Sequence, residues 1–411
     1  MGRVLNHNQP IVAIDIGTTK ICVIVGRKLG NSIEVIGMGT APSHGLKKGV
    51  VVDIARATES IKTAVKEAEL VSNCSIEAAT VGVSGSHISA KNSSGAVPIR
   101  KGGEVRELDI ENVLAAAKAV PISEDQQILH VLPKYFRIDG QEKIHNPLGM
   151  HGVRLEVQVH IITGSVASVQ NVVHCCELAG ITVIDIVLEQ LASAEAVLSS
   201  DEKELGVGVL DIGGGTADLA IYQNGTIRHT VVVPIAGNHF TYDVAVGLCT
   251  TLDDAEQIKQ NYGLASSDLL KQNIEIKIKG IQGQKGDVVQ QSFLVHVTES
   301  RATELLHIIR DEIDHYQLRS FMTTGMVLTG GGSLLGGIDY AAGKVLKMPV
   351  RIGMPHDSGI NAKYLNSPIY ATGYGLLLYA ANKYGRGMQY LEGPAVKKIF
   401  YRMKSWVSEF F

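Results

Sequence analysis

The sequence predicts an α/β fold in which two similar lobes face each other across a cleft. The main observation is an internal repeat: the apolar run Ile11–Ile14 leads into Asp15-Ile16-Gly17, and Leu205–Leu210 leads into Asp211-Ile212-Gly213. Each glycine-containing turn is followed at once by another apolar run, Ile21–Val25 in the first case and Leu219–Tyr222 in the second. A strand, a tight turn and a second strand therefore occur in each half of the chain, which predicts duplicated lobes.

Both turns have the composition of a phosphate-binding loop. Consecutive glycines let the backbone fold tightly and present successive N–H groups to an anion. Hydroxyl groups and a lysine beside the first turn add donors. The residues predicted to bind phosphate are Gly17, Thr18, Thr19, Lys20, Gly213, Gly214, Gly215 and Thr216. Either turn alone is better explained as a plain β-hairpin, and only their repetition favours phosphate binding.

Asp15 and Asp211, which follow the two strands, predict a Mg²⁺ site. A carboxylate repels phosphate, but it can hold Mg²⁺ through water, and the ion then bridges the phosphate oxygens. Neither turn has the Gly-x-x-x-x-Gly-Lys-Ser/Thr spacing of a P-loop or the Gly-x-Gly-x-x-Gly spacing of a dinucleotide-binding turn.

A third turn, Gly330-Gly331-Gly332-Ser333, follows the apolar run Val327–Leu328. With these three motifs in this order, the sequence resembles the superfamily of actin, Hsp70 and the sugar kinases. The resemblance implies an actin-like ATPase fold with ATP and Mg²⁺ as cofactors. It identifies Asp15–Lys20 and Asp211–Thr216 as the phosphate motifs, and Gly330–Ser333 as the adenosine motif.

The composition excludes several classes of protein. The 411 residues carry a formal net charge of −3, which gives no electrostatic bias toward nucleic acid. The five cysteines show no paired spacing, which indicates a reducing compartment. No signal peptide and no run of eighteen apolar residues is present, so we expect neither secretion nor a membrane span.

The first lobe shows a rearrangement within that superfamily. Only about ten residues separate the third predicted strand, Ile33–Thr40, from the helix predicted over Val52–Val71, too few for the small subdomain that actin and Hsp70 insert there. A new insertion, residues 84–162, follows the strand Ala79–Val83 instead. We predict in it a helix over Ile110–Ala119 and strands over Gln127–Val131, Tyr135–Ile138 and Val153–Ile162. The usual subdomain 1B is thus replaced by a differently placed subdomain 1C.

This rearrangement resembles one branch of the superfamily, the bacterial FtsA family of cell-division proteins. The similarity covers nearly the whole chain. The segments that carry it are Thr80–His87, Pro98, Asn146–Met150 and Leu178–Ile181.

Two further roles follow from the resemblance. The predicted helix Ile186–Ser199 connects the lobes and places Glu189 where it would orient the attacking water, although a solvated glutamate at a helix start is the alternative. Glu256 and Lys259, three residues apart on the helix Asp253–Tyr262, would clasp the ribose and adenine; the alternative is a surface ion pair.

The predicted boundaries divide the chain into six parts. The lobe one core is 1–83 and 163–195, subdomain 1C is 84–162, the lobe two core is 196–235 and 299–383, subdomain 2B is 236–298, a linker is 384–395, and the tail is 396–411. Subdomain 2B is expected to be rich in strands over Ile274–Val297, with a turn at Gln282–Gly286.

The tail is predicted to be an amphipathic, membrane-binding helix. At helical spacing its apolar residues lie on one face and its basic residues on the other. The residues of the apolar face are Val396, Ile399, Phe400, Met403, Trp406, Val407, Phe410 and Phe411. The alternative is a helix docked on the protein's own core, against which the linker argues; the family also ends in such an anchor.

The resemblance implies a membrane adaptor at the division site, on the cytoplasmic face of the inner membrane. Its expected partners are the FtsZ C-terminal peptide, further copies of itself in a filament, anionic lipids, and later division proteins through subdomain 1C. Arg301 and Glu304, near a helix expected to begin at Glu299, are candidates for the FtsZ contact. At most slow ATP hydrolysis is expected. A pilus-assembly adaptor of the PilM type, a small-molecule kinase and an Hsp70-like chaperone are the alternatives.

Overall fold

A computed structural model describes residues 10–30, 32–100, 103–280, 287–356 and 364–384. The tail predicted at 396–411, all of the linker except Tyr384, and the turn predicted at Gln282–Gly286 lie outside these residues. The first part of the chain contains β1 (Ile11–Ile16), β2 (Lys20–Leu29), β3 (Ser32–Pro42), β4 (Leu46–Lys47), β5 (Val50–Val51), α1 (Ile54–Ser72) and β6 (Ala78–Val83).

The insertion and the return to lobe one follow. Their elements are β7 (Ser89–Pro98), α2 (Glu107–Lys118), β8 (Gln126–Ile138), β9 (Gln141–Ile144), β10 (Arg154–Ser165), α3 (Val166–Leu178), β11 (Thr182–Leu188) and α4 (Glu189–Val197). Lobe two contains α5 (Ser200–Leu205), β12 (Val207–Ile212), β13 (Ala217–Gln223), β14 (Thr226–Val233), α6 (Gly237–Leu248), α7 (Leu252–Tyr262), β15 (Glu275–Lys277), β16 (Val288–Gln290), α8 (Gln291–His315), β17 (Met326–Thr329), α9 (Ile338–Leu346), β18 (Val350–Ile352) and α10 (Ala371–Tyr384).

Each lobe has a five-stranded sheet of the same topology. The strand order is β11-β6-β1-β2-β3 in lobe one and β14-β13-β12-β17-β18 in lobe two. β1 pairs antiparallel with β2 and parallel with β6, and β12 does the same with β13 and β17. The repeated strand directions confirm the predicted α/β class and the duplicated lobes.

Apolar side chains form a core on the sheet of each lobe, a core between the lobes, and a smaller cluster among α6, α7, β15 and the start of α8. Lobe one packs α1 and α3 on its sheet, and lobe two packs α8 and α9 on its own. The third core joins both sheets through α4 and α10. These two helices approach so closely that a Cβ atom on Gly375 would overlap the carbonyl oxygen of Ala192. The connecting helices therefore fix the lobes to each other at the base of the cleft.

The insertion forms its own four-stranded sheet, in the order β7-β10-β8-β9. Its buried side chains form a separate apolar cluster that includes residues of α2. It also contacts lobe two, because the ring of buried His160 lies 2.8 Å from the Asn92 amide oxygen and 2.9 Å from the Thr230 hydroxyl on β14. The inserted subdomain thus touches both lobes.

Several predicted elements differ from the observed ones in the insertion and at the connecting helix. The two strands predicted at Gln127–Val131 and Tyr135–Ile138 are one strand, β8, which accommodates Pro133 at a register shift. Strand β7 was not predicted, because its sequence is mostly polar. The helix predicted over Ile186–Ser199 begins only at Glu189, since the three residues before it complete β11.

The strand-rich segment predicted over Ile274–Val297 is largely wrong. After the short strands β15 and β16, helix α8 starts at Gln291 and continues for 25 residues. Its buried residues recur at helical spacing, Leu294, Val295, Thr298, Ala302 and Leu305, and this burial against lobe two selects the helix. The helix expected to begin at Glu299 thus starts eight residues earlier, and the predicted boundary between 298 and 299 falls inside it.

Candidate nucleotide site

The two predicted phosphate loops have the same backbone geometry. The Gly17 N–H donates to the carbonyl oxygen of Lys20 at 3.1 Å, and the Gly213 N–H donates to that of Thr216 at 2.9 Å. Each bond closes a tight turn at the tip of its hairpin, between β1 and β2 or between β12 and β13. The turns lie at matching positions of the two duplicated sheets.

The loops contact each other across the cleft. A Cβ atom on Gly214 would overlap the Thr19 hydroxyl, and one on Gly215 would overlap the Thr18 hydroxyl. The Thr19 hydroxyl also donates to the Asn238 amide oxygen at 3.2 Å. Glycine is therefore required here by the opposite lobe, and the two loops meet directly across the cleft. This arrangement of glycine backbone and threonine hydroxyls is a candidate cradle for a chain of phosphates.

Acidic side chains are concentrated beside the loops. Burial is the main cause that raises the pKa of Asp15 to about 6 and that of Asp218 to about 7, and the negative charge of Asp211 raises both further. Burial also raises the pKa of Asp211, although hydrogen bonds from Ser193 and Thr372 oppose the shift. Carboxylates that repel each other in this way are stabilised by a proton or by a bound cation.

Lys20 supplies only part of that stabilisation. Its ammonium lowers the pKa of Asp15 and of Asp211, but it donates its hydrogen bond, at 3.0 Å, to the carbonyl oxygen of Ile369 and lies 4.7 Å from the centre of the Tyr370 ring. Within the described residues, no group of three or more His, Cys, Asp or Glu side chains could hold a metal ion. Oxygen ligands around an anion cradle fit a hydrated Mg²⁺ ion, which keeps several of its waters.

Glu189, the first residue of α4, lies at this acidic cluster. Burial raises its pKa well above the usual range, and the charges of Asp15, Asp218 and Asp211 raise it further. A solvated glutamate at a helix start would have no such neighbours. The side chain is thus beside the phosphate loops, which is the location that the prediction of its role requires.

Asp218 is a site residue that the sequence reasoning missed. It lies on β13 directly opposite Asp211 on β12. Its carboxylate accepts hydrogen bonds from the Ser84 hydroxyl at 2.6 Å and from the Thr216 hydroxyl at 2.9 Å. The symmetric spacing of Asp211 and Asp218 about the glycine turn is the signal that could have found it.

The predicted adenosine motif lies against the second phosphate loop. Strand β17 pairs with β12 in a register that puts Thr329 beside Asp211. Gly330 has φ +80°, and a Cβ atom there would overlap the Asp211 carboxylate. The Ser333 hydroxyl is buried and donates to the carbonyl oxygen of Gly330 at 2.7 Å, within a short 3₁₀ helix over Gly331–Leu334. Gly330–Ser333 therefore closes the same cleft from the lobe two side.

Glu256 and Lys259 are held against the first turn of α6. The Lys259 ammonium donates to the Glu256 carboxylate at 2.6 Å, to the Thr241 hydroxyl at 2.9 Å and to the Gly237 carbonyl oxygen at 3.2 Å. The Gly237 N–H in turn donates to the carbonyl oxygen of Gly213 at 3.0 Å. The pair thus connects to the second phosphate loop, unlike an isolated surface ion pair.

Arg301 and Glu304 lie together in the middle of α8. The Arg301 guanidinium binds both carboxylate oxygens of Asp243 on α6, at 2.6 and 3.0 Å, and also pairs with Glu304. Beside them, the apolar side chains of Tyr242 and Val246 on α6 are largely exposed. Arg301 therefore already has an internal partner and holds α6 to α8.

Known proteins resemble this chain over nearly its whole length. The model of the family "Cell division protein FtsA" matches residues 208–375, and that of the "SHS2 domain inserted in FTSA" matches residues 85–163. The cell division protein FtsA of Pseudomonas aeruginosa is 42% identical over 411 residues, which cover 98% of each chain. The chain belongs to the FtsA family of cell division proteins. This confirms the resemblance seen in the motifs, and the SHS2 match shows that the insertion of the FtsA family is present.

Solved structures show the same fold at low sequence identity. The PilM–PilN type IV pilus biogenesis complex contains a chain that matches with a TM-score of 0.66 and 17% identity, covering 90% of this FtsA-family chain and 98% of the other. MreB5 of Spiroplasma citri bound to ADP matches with a TM-score of 0.56 and 14% identity, covering 92% and 99%. These matches confirm an actin-like fold. In the part of the chain that the structure describes, no helix is long and apolar enough to cross a membrane.

Proposed function

We propose that this FtsA-family chain binds ATP and Mg²⁺ in the cleft between its lobes. The observation that carries the proposal is the pair of facing hairpins, where Thr18 and Thr19 of one lobe meet Gly214 and Gly215 of the other. Bound Mg²⁺ would neutralise charge on the phosphates and on the carboxylates around them. In this proposal, Asp15 and Asp211 hold that ion through water.

The other site residues have distinct roles in this proposal. Glu256 and Lys259 bind the ribose and adenine from one side, and Gly330–Ser333 form the other side. Glu189 orients the attacking water, and burial together with the nearby carboxylates raises its pKa. Hydrolysis is slow in this proposal, because no strong base is evident beyond Glu189, and the nucleotide acts mainly as a conformational and assembly switch.

The second part of the proposal is that the chain links a polymer to the membrane. The basic amphipathic sequence 396–411 inserts its apolar face into the headgroup region of the cytoplasmic membrane, on its inner surface. One such helix binds reversibly, because it buries only half of its surface. Head-to-tail assembly of many subunits would present many helices together, and avidity would make attachment persistent.

The third part concerns protein partners at the division site. Membership of a cell-division family supports FtsZ as the partner, through its C-terminal peptide. The surface around Arg301 and Glu304, with exposed Tyr242 and Val246 beside it, offers charged and apolar contacts for such a peptide. Subdomain 1C, residues 84–162, would receive later division proteins.

Liposome co-sedimentation with ATP, with and without FtsZ, tests the adaptor function. We expect the full chain to pellet with anionic vesicles and to carry FtsZ, and a chain ending at Ala395 to stay in the supernatant. A matched pair of substitutions sharpens the test, because Trp406→Glu and Ser408→Glu add the same charge to opposite faces of the predicted helix. Only Trp406→Glu should abolish pelleting. Equal pelleting of the full and shortened chains would exclude the tail as the anchor.

A further inference from the structure

The hairpin formed by β4 and β5 occupies the place where the superfamily's small subdomain is missing. It is only six residues long, Leu46–Val51, and connects β3 with α1. Its tip is Lys48-Gly49, and both residues have left-handed backbones, with φ +51° and +74°. A non-glycine residue in this conformation is uncommon and costs conformational energy, so the surroundings must hold it there.

The tip is wedged between the two phosphate loops. The Gly49 N–H donates to the Thr18 hydroxyl of the first loop at 3.0 Å. On the other side, the Lys48 Cα atom lies 3.0 Å from the position that a Cβ atom on Gly215 of the second loop would occupy. The hairpin of lobe one therefore lies directly against the phosphate loop of lobe two.

Lys48 brings a positive charge to this contact. Its side chain is partly buried, and within the described residues its ammonium forms no hydrogen bond or ion pair. After burial, the charge of Lys48 is the largest cause that lowers the pKa of His239, on the first turn of α6. The same turn donates N–H groups to the carbonyl oxygens of Gly213 and Gly214. The free ammonium thus lies near the loop that is built to receive an anion.

The position of the hairpin along the second phosphate loop indicates which phosphate it would meet. The adenosine motif contacts the beginning of this loop, since Gly330 and Gly332 abut Asp211 and Ile212. The hairpin contacts the other end, at Gly215. A nucleotide whose base lies at the adenosine motif would therefore bring its last phosphate toward the hairpin.

We propose that Lys48 is a ligand of the terminal phosphate of a bound nucleoside triphosphate, supplied by the β4–β5 hairpin. This inference rests on the proposed ATP function. An ammonium donates charge-assisted hydrogen bonds to phosphate oxygens, and that of Lys48 has no other partner among the described residues. Lys48 would therefore discriminate between a triphosphate and a diphosphate at this site.

The test is equilibrium binding of a hydrolysis-resistant ATP analogue and of ADP, both with Mg²⁺, to the full chain. Lys48→Asn removes the charge and keeps a residue that tolerates the left-handed backbone. We expect its affinity for the ATP analogue to fall about tenfold or more, as for loss of a hydrogen bond to a charged group, with ADP affinity within about twofold. Lys48→Arg should retain most of the affinity. Lys47→Asn, which changes the neighbouring exposed lysine, is the matched control and should bind both nucleotides normally.

The outcomes separate this inference from the proposed function. If the unmodified chain binds neither nucleotide, the proposed function fails. If it binds both and Lys48→Asn behaves like Lys47→Asn, only the assignment of Lys48 is wrong. Equal losses for ATP and ADP in Lys48→Asn would show that the residue supports the hairpin and does not contact the terminal phosphate. Thermal unfolding of each variant shows that the compared chains are folded.

Discussion

The hydroxyl of Ser84 in lobe one donates a 2.6 Å hydrogen bond to the carboxylate of Asp218 in lobe two. Both side chains are buried, and Ser84 is the residue at which the chain leaves strand β6 for the inserted subdomain. The bond lowers the pKa of Asp218 against the effect of burial, which raises it. It therefore joins the two lobes, the acidic cluster and the root of the insertion.

Replacing this donor should loosen the closed cleft. In Ser84→Ala, Asp218 keeps the hydrogen bond from Thr216 but loses the one from Ser84, so its pKa should rise further and one contact between the lobes is lost. We expect a fluorescent ATP analogue to dissociate up to about tenfold faster in stopped-flow displacement, the size expected for one hydrogen bond. Ser86→Ala, at an exposed position two residues on, is the control. Identical release rates in the two variants would contradict this role of Ser84.

The acidic cluster predicts a pH dependence of stability in the absence of nucleotide. The pKa of Asp218 is raised from 3.8 to about 7 in the folded chain, so between these values the folded state binds more protons than the unfolded state. Stability should therefore fall as the pH rises from about 4 to about 7, and this loss should be complete above pH 7. In Asp218→Asn this contribution is absent, so the variant should melt at a higher temperature than the unmodified chain at pH 8. Thermal scans at several pH values without Mg²⁺ measure this.

Asp253→Asn, which removes an exposed carboxylate at the start of α7, is the control for that scan. It should keep the pH dependence of the unmodified chain. An Asp218→Asn variant that melts lower at pH 8 would mean that the carboxylate stabilises the empty cleft, contrary to the prediction.

Two adjacent glycines of the adenosine motif should respond differently to alanine. Gly330 has φ +80°, and a Cβ atom there would also lie 2.7 Å from the carbonyl oxygen of Ile212. At Gly331, the nearest atom to an added Cβ is the Ile369 Cγ1 atom, at 3.9 Å. We expect Gly330→Ala to lower the unfolding free energy by about 1–3 kcal/mol or more and Gly331→Ala to change it little. Urea unfolding without nucleotide measures the unfolding free energy of both variants. Equal decreases in the two variants would contradict this prediction.

The buried ion pair at the end of α10 should be important for the stability of lobe one. Lys383 binds Asp185 on β11 at 2.9 Å, and the two side chains are only 3% and 6% exposed. Lys383→Ala removes the cation that binds the buried Asp185 carboxylate and should cost about 3–5 kcal/mol of unfolding free energy. Adding Asp185→Asn should restore part of this loss, because the negative charge is then removed from the buried site.

Lys66→Ala, on the exposed face of α1, provides the comparison for that experiment. Its unfolding free energy should stay within about 0.5 kcal/mol of the unmodified chain. If Lys383→Ala also changed the unfolding free energy by no more than about 0.5 kcal/mol, the ion pair would contribute nothing measurable to stability.

The strands on either side of the two glycine turns, and the duplicated lobes that they build, follow from the sequence by itself. The repeated apolar run with Asp-Ile-Gly is a local signal, because adjacent residues are enough to predict both the buried strand and the glycine turn. The same holds for α1 and α7, whose apolar spacing is helical. Fold class and family were therefore predictable from short stretches and their order.

Relationships between distant residues were decided only by the tertiary structure. Helix α8 replaced the predicted strand because its apolar residues pack on lobe two, and strand β7 forms from a polar sequence because its partner β10 lies beside it. Ser84 meets Asp218 across 134 residues, and Lys48 meets Gly215 in the opposite lobe. No local pattern marks such pairs, since their contact depends on how the lobes close. The sequence thus determined the two separate glycine turns, and the packing of the lobes determined which side chains lie between them.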